Sequence, residues 1–194
     1  IGSDSRIGSR FLRAGPAYGG SCFPKDTKGL VSTGEKFKTN LSIVKSVIKS
    51  NEIRKKIHTD RIKKILGSLK GKKIAFLGVT FKPNTDDMRD SVSLKMIPYL
   101  CKSGSKVTYY DPTGPKKYFL KIKNCRYKKT IKDACKNVDL IILHTEWDEF
   151  KSLDFNKLVK KKGYRIFDLR NLYDPKFMKN KKIKYFSVGR PKSI

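Results

Sequence analysis

Ile74-Ala-Phe-Leu-Gly-Val79 and, further along, Leu140-Ile-Ile-Leu143 are short apolar runs set between lysine- and aspartate-bearing flanks. A strand that is apolar on both faces must be covered on both faces, as in parallel sheets flanked by helices. Working outward, strands are predicted at Lys73–Val79, Lys106–Tyr110, Leu140–His144, Arg165–Asp168 and Lys184–Ser187, with helices near 91–103, 130–136 and 155–161. This alternation predicts an α/β fold whose open, mostly parallel sheet carries helices on its faces. Pro98, inside the first of those helices, is expected to kink it.

Upstream the texture differs. Residues 1–38 are rich in glycine and turn formers and hold a short helical stretch starting near Pro24. Thr39-Asn40 is expected to cap a long helix ending near Leu69, because Ile43, Val44, Val47, Ile48, Ile53, Ile57, Ile62, Ile65 and Leu66 recur mostly at three- to five-residue steps. A helix of about 28 residues spans roughly 40 Å, which suits a spacer or a subunit contact. Gly67 and Gly71 punctuate its end. Two units follow: a helical region over 1–70, and an α/β unit over 71–194.

The chain has 194 residues, 38% of them hydrophobic, with 46 Lys+Arg against 17 Asp+Glu and a formal net charge of +29. That apolar content excludes wholesale disorder. No apolar stretch approaches the roughly 18–20 residues of a membrane span, and the polar opening Ile1-Gly-Ser-Asp-Ser-Arg6 lacks the apolar segment of a signal peptide. The basic excess is 36 Lys to 10 Arg, spread over nearly every predicted element. Sequence-specific nucleic-acid readers lean on arginine, and neither a zinc-finger spacing nor an RNA-binding aromatic signature accompanies the lysines. A solvated lysine surface is the favoured reading; a non-catalytic basic nucleic-acid-binding module is the alternative. Cys22, Cys101, Cys125 and Cys135 show no CxxC spacing and have two histidines for company, so no metal site is expected, and reduced thiols in a cytoplasm are the default. Cys101 follows an apolar helical pattern and reads as a core residue.

Gly19-Gly-Ser-Cys-Phe-Pro-Lys-Asp26 is the most informative stretch. Two glycines permit close backbone approach or a positive φ, and Pro24 suits a first helical turn, which puts Cys22 just before a helix N-terminus. The positive end of the helix and Lys25 favour the thiolate that a covalent nucleophile requires, and Asp26 can hold a water or a proton nearby. The competing reading is a glycine turn beside a buried cysteine. Phe81-Lys-Pro-Asn-Thr-Asp-Asp-Met-Arg89 follows the first strand, where α/β sheets bind ligands. It lacks G-x-G-x-x-G, so Lys82 and Arg89 would neutralise phosphates directly; the competing reading is a polar loop with an Asp-Asp helix cap. Asp111 ends the next strand, where dinucleotide folds place a ribose-binding acid. Asp168-Leu-Arg-Asn171 and His144-Thr-Glu-Trp147 end two further strands, and Arg170 can reach the same cleft or stand on the surface. His58, on the long helix, is expected to be exposed.

Taken together, Arg6-Ile-Gly-Ser-Arg-Phe-Leu-Arg-Ala-Gly-Pro-Ala-Tyr-Gly-Gly-Ser-Cys-Phe-Pro-Lys-Asp26, then Phe-Lys-Pro-Asn-Thr-Asp-Asp-Met-Arg, Thr-Glu-Trp and Arg-Asn-Leu-Tyr-Asp-Pro, resemble the UDP-glucose/GDP-mannose dehydrogenase family. The resemblance covers essentially the whole chain and points to the family's carboxyl-terminal half, with a long helix leading into a Rossmann-like sheet. It implies NAD-dependent oxidation of a nucleotide sugar, UDP-glucose to UDP-glucuronate for polysaccharide biosynthesis, with GDP-mannose as the related alternative. Two NAD would be reduced, with Cys22 carrying thiohemiacetal and thioester and Asp26 assisting water. It further implies that Arg6, Arg13, Ala14, Gly15, Pro16, Ala17, Tyr18, Gly19, Phe81, Lys82 and Arg170 hold the UDP-sugar, Arg6 that of a neighbouring subunit in a homodimer. Cys22, Phe23, Pro24, Lys25 and Arg89 would lie near NAD. The chain begins at Ile1 and reads as a fragment without the amino-terminal NAD domain, so it is expected to be inactive alone. Leu169 stands where the family often has Gly or Ala and is expected to crowd the backbone near Arg170. Val92 stands where Pro is common, so that helix start is expected to differ.

Overall fold

The computed structural model describes residues 1–190, apart from the side chains of Arg10 and Phe11. After a loop that includes a 3-10 turn at Ser9–Leu12, the chain forms α1 (Phe23–Lys36) and α2 (Ser42–Leu66). It then builds β1 (Lys73–Leu77), α3 (Ser93–Lys102), β2 (Lys106–Tyr110), β3 (Cys125–Tyr127), α4 (Ile131–Ala134), β4 (Leu140–Leu143), α5 (Phe155–Leu158), β5 (Arg165–Asp168), α6 (Pro175–Asn180) and β6 (Lys184–Ser187). The six strands lie in the order β3-β2-β1-β4-β5-β6, and every adjacent pair is parallel. The expected α/β class therefore holds, with a sheet that is wholly parallel.

Period-two alternation divides the core between the two faces. Ile74, Phe76, Val107, Leu140, Ile142 and Phe167 face α2 and α3, meeting Ile62, Leu66, Met96, Ile97 and Leu100. Ala75, Leu77, Ile141, Leu143 and Ile166 face the other way, toward Ala134, Phe155 and Met178. The apolar runs at 74–79 and 140–143 are thus buried on both sides, and β4 is buried at all four positions.

Several expectations change. The long helix begins at Ser42, and no side chain caps it: Leu41 occupies the cap, and Thr39 turns back to donate to Gly34. Gly34 has no room for a side chain, because a Cβ there would meet Leu41 Cδ1 at 2.6 Å. β3 and α6 are additional to the predicted elements. His58 is buried, 3% exposed, against the expectation. Leu169 turns into the core, and Arg170 keeps its backbone hydrogen bond to Asp168, so the crowding is not found. Val92 takes φ −62°, the angle a proline would hold, and α3 begins directly after it.

Candidate active site

Strand order reverses between β1 and β4, which leave the sheet toward opposite sides and open a crevice beyond their carboxyl ends. Gly78, at φ +76°, lets the exit of β1 lie against that of β4; a Cβ there would come within 2.6 Å of Thr145 Cβ. Thr145 Oγ1 donates to the Thr80 carbonyl at 2.7 Å. Asp111 serves the same exit. Its buried carboxylate accepts the Val79 N–H at 2.8 Å and the Thr113 hydroxyl at 2.5 Å, so it is turned inward, away from the ribose-facing position considered above. Ser91 and Ser93 both donate to the Val79 carbonyl, folding the loop that follows Phe81 back onto the sheet.

Arg170 sits at the centre. Its Nε donates to the His144 carbonyl at 2.9 Å, its Nη2 donates to the Phe81 carbonyl at 3.0 Å, and Nε lies 2.9 Å from Glu146 Oε2. One guanidinium therefore ties together the exits of β1, β4 and β5. Burial draws its pKa below the usual value, while Glu146 and Asp168 oppose that shift. Asp168 is itself raised, because burial outweighs the hydrogen bonds it accepts from Tyr185 and the backbone of Arg170, Leu172 and Tyr173. Gly15 lies directly over Arg170: a Cβ there would stand 3.0 Å from Nη1. The stretch from Arg13 to Gly19 thus runs across the guanidinium, with Arg13 exposed and Pro16 buried.

The same stretch continues into the cysteine turn. Gly19 and Gly20 press against the loop after β1. A Cβ on Gly19 would meet the Asp90 carbonyl at 2.5 Å, and one on Gly20, at φ +90°, would meet the Phe81 ring at 2.7 Å. Gly20 N–H donates to the Arg89 carbonyl at 2.8 Å. Cys22 is exposed at the N-cap of α1, with its Sγ 3.6 Å from Ser21 Oγ. Pro24 fills the first turn, the exposed Asp26 follows one turn on, and the Lys25 ammonium lies 3.5 Å from its carboxylate. The Tyr18 and Phe23 rings, 5.4 Å apart, link the two stretches. The turn beside a buried cysteine is therefore excluded.

Beside this turn a cavity of about 570 Å³ is lined by Gly20, Ser21, Lys25, Lys55, Arg89 and Lys95. Arg89 forks onto Asp87 at 2.8–3.1 Å, and that contact raises its pKa. Lys55 and Lys95 share Glu52, whose carboxyl they hold down at about 2. Lys82 is exposed, its ammonium 5.4 Å from the Phe81 ring centre. Arg6 is exposed and ion-paired with Asp4 at 2.6 Å, so the structure does not bring it to the crevice.

Sequence reasoning passed over three contributors. Glu146 pairs with Arg170, and on α2 Asn51 and Arg54 hold the backbone of the stretch crossing it. The two histidines also lie near: burial leaves His58 at about 4 and His144 at about 3. Among the described residues no helix is long and apolar enough to cross a membrane, and no three His, Cys, Asp or Glu gather as metal ligands.

Known proteins share this arrangement. Residues 75–175 match the UDP binding domain of the UDP-glucose/GDP-mannose dehydrogenase family, and residues 1–53 match its central domain. The chain is 42% identical over 193 residues to a UDP-glucose 6-dehydrogenase of Rhizobium meliloti, covering 98% of this chain and 44% of that protein. It is 43% identical to the UDP-glucose 6-dehydrogenase of Rickettsia prowazekii, covering 97% of this chain and 44% of that one. The solved UDP-glucose dehydrogenase of Pyrobaculum islandicum superposes with a TM-score of 0.81 at 30% identity, over 98% of this chain and 42% of that structure. The chain thus spans a little under half the length of these relatives. One signature falls on the sheet that carries Phe81 and Arg170 and the other on the turn that carries Cys22, and on that ground the chain belongs to the UDP-glucose/GDP-mannose dehydrogenase family.

Proposed function

We propose that this chain is the carboxyl-terminal part of an NAD-dependent UDP-glucose 6-dehydrogenase, holding the UDP-sugar and supplying the nucleophile. The observation that carries the reading is the single stretch, Arg13 to Cys22, that crosses Arg170 at one end and presents an exposed thiol at a helix N-terminus at the other. A sugar nucleotide lying along it would meet Phe81, Lys82 and Arg170 with its diphosphate and bring its far carbon to Cys22. Residues 71–194 would carry the nucleotide, and residues 1–70 the nucleophile and a subunit contact through α2, whose Ile43, Val47, Ile53 and Ile57 are exposed. Arg6 would then act across that contact, which accounts for its distance from this chain's own crevice.

The cavity beside the cysteine turn fits a dinucleotide pyrophosphate: it is cationic, and Lys25 and Arg89 stand at its edge next to Ser21. NAD held there would supply the acceptor for both hydrides leaving the sugar C6. The residues of this chain do the rest. After the first hydride loss has made the C6 aldehyde, Cys22 Sγ would add to it to give a thiohemiacetal; loss of the second hydride would leave a thioester, and water, steered by Asp26, would hydrolyse it to the uronate and free the thiol. Covalent capture turns aldehyde oxidation into hydride loss from a tetrahedral carbon.

The test uses the intact protein. UDP-glucose and NAD are expected to yield two NADH per UDP-glucuronate, with GDP-mannose as the competing substrate, and Cys22→Ala is expected to abolish turnover. Full activity of Cys22→Ala would sink the covalent mechanism, and turnover of GDP-mannose alone would replace the substrate. Residues 1–194 alone are expected to make no NADH.

A further inference from the structure

The face that α2 buries is oddly polar. Asn51, Lys55, His58 and Thr59 are buried in its upper half, while only the lower half, Ile62 and Leu66, joins the apolar core. Asparagine is a poor helix former, about 0.6 kcal/mol worse than alanine, so its burial in mid-helix calls for a specific partner. That partner is main chain. Asn51 Oδ1 accepts the Tyr18 N–H at 2.9 Å and Asn51 Nδ2 donates to the Tyr18 carbonyl at 3.1 Å, so one amide satisfies both backbone groups of one residue. One turn on, Arg54 donates from Nε and Nη2 to the Gly15 carbonyl at 3.3 and 3.1 Å. Gly15 is the residue over Arg170, and Tyr18 is the residue whose ring meets Phe23, beside Cys22.

We infer that Asn51 and Arg54 are positioning residues that set the substrate stretch between Arg170 and Cys22; this rests on the function proposed above. A glycine- and proline-containing stretch has no strand partner to fix it, and ordering it on binding would cost roughly 1–2 kcal/mol per residue. Clamped by backbone contacts to a helix whose other end is seated in the core, it is ordered beforehand. The clamp acts through main chain alone, leaves Arg13 exposed, and fixes the reach from diphosphate to thiol.

Asn51→Asp in the intact protein decides it. The carboxylate keeps the shape and the acceptor but loses the donor to the Tyr18 carbonyl and repels it. The expected result is about tenfold weaker UDP binding by calorimetry and a matching rise in KM for UDP-glucose. KM for NAD should stay within twofold, a split that general loosening of the fold would not produce. Arg54→Gln, at a half-buried position, should weaken UDP about threefold and decides the matter if Asn51→Asp does not fold. UDP affinity and UDP-glucose KM within twofold of wild type in the folded variant would overturn the inference while leaving the proposed function standing. A wild-type protein that binds no UDP would overturn both.

Discussion

The two halves of this chain answer different demands. Beyond residue 70 the apolar side chains are spent inside: β1, β4 and β5 are nearly fully buried, and Tyr99, Tyr118, Leu120 and Phe177 are the large apolar residues left exposed among the described ones. Before residue 67 the balance inverts. Ile7, Leu12, Phe23, Leu30, Phe37, Ile43, Val47, Ile53 and Ile57 all stand exposed, and among the described residues Ile62 and Leu66 are the ones fully seated in the core, with Ala17 and Ile65 at its edge. The sheet stabilises itself, whereas the helices ahead of it present a surface suited to being covered. The crevice draws on both, taking Arg170 from the rigid half and Cys22 from the open one.

The largest effect that sharpens this contrast is chemical. Cys22→Ala should lower kcat by about a thousandfold or more, on the order of 4 kcal/mol in barrier, with no change in melting temperature, because the thiol is exposed and meets the neighbouring, surface-facing Ser21 hydroxyl rather than the core. A fall in melting temperature of several degrees would mean that the turn is structural after all. Next comes a paired truncation. Ile142→Ala, in the middle of β4, should cost roughly 2–5 kcal/mol in denaturant unfolding. Ile53→Ala, about half exposed, should cost under about 1 kcal/mol. Equal costs in the intact protein would show that α2 is covered as tightly as the sheet.

Acid probes the seam between the halves. His58 lies on α2 with its ring centre 6.0 Å from that of Phe167 on β5, and burial, reinforced by Arg54, holds it neutral down to about 4. In the unfolded chain its pKa returns to about 6.5, so between those values the unfolded state binds the extra proton. Stability contributed by the neutral ring is therefore complete above about 6.5 and drains as pH falls toward 4, by about 3 kcal/mol. His144, held at about 3 mainly by burial, acts in the same direction over a wider range. Replacing His58 by Leu should flatten the stability profile between pH 6.5 and 4; an unchanged slope would remove His58 from the account.

What was legible in the sequence follows from how each element is held. Strands β2, β5 and β6 fall where predicted, because a strand covered on both faces must announce itself as an apolar or alternating run. β3 did not, since a three-residue edge strand among lysines buries only Cys125. α6 has a legible cap, Asp174 before Pro175, whose carboxylate accepts from Lys176 and Phe177, yet six residues are too few to show a period. The cysteine turn was legible because glycine, proline and cysteine each have a local reason to be there. Asp111, His58 and Asn51 were not, because their partners are main-chain groups or rings many residues away. Ile43, Ile53 and Ile57 of α2 mark its open face, in keeping with the spacer or subunit contact expected of it, whereas the face it buries is polar where it holds residues 15–18. The lysine excess stayed on the surface as read, since only Lys55 and Lys116 are buried among the described residues.

The smallest effect tests whether that surface charge stabilises either half. Lys45 on α2 and Glu35 on α1 form an ion pair at 2.8 Å, with side chains 48% and 60% exposed. Two long side chains in water lose rotamer freedom to make such a contact, and counterions screen it at physiological ionic strength. Glu35→Gln should therefore change stability by less than about 0.5 kcal/mol, and adding salt should erase the difference. In a chain carrying +29, the lost acid also removes a partial counterweight to general repulsion, so the variant should suffer most at low salt. A larger loss that persists at high salt would mean that α1 and α2 are held together there by more than charge, and that the open half is better built than its exposed apolar residues indicate.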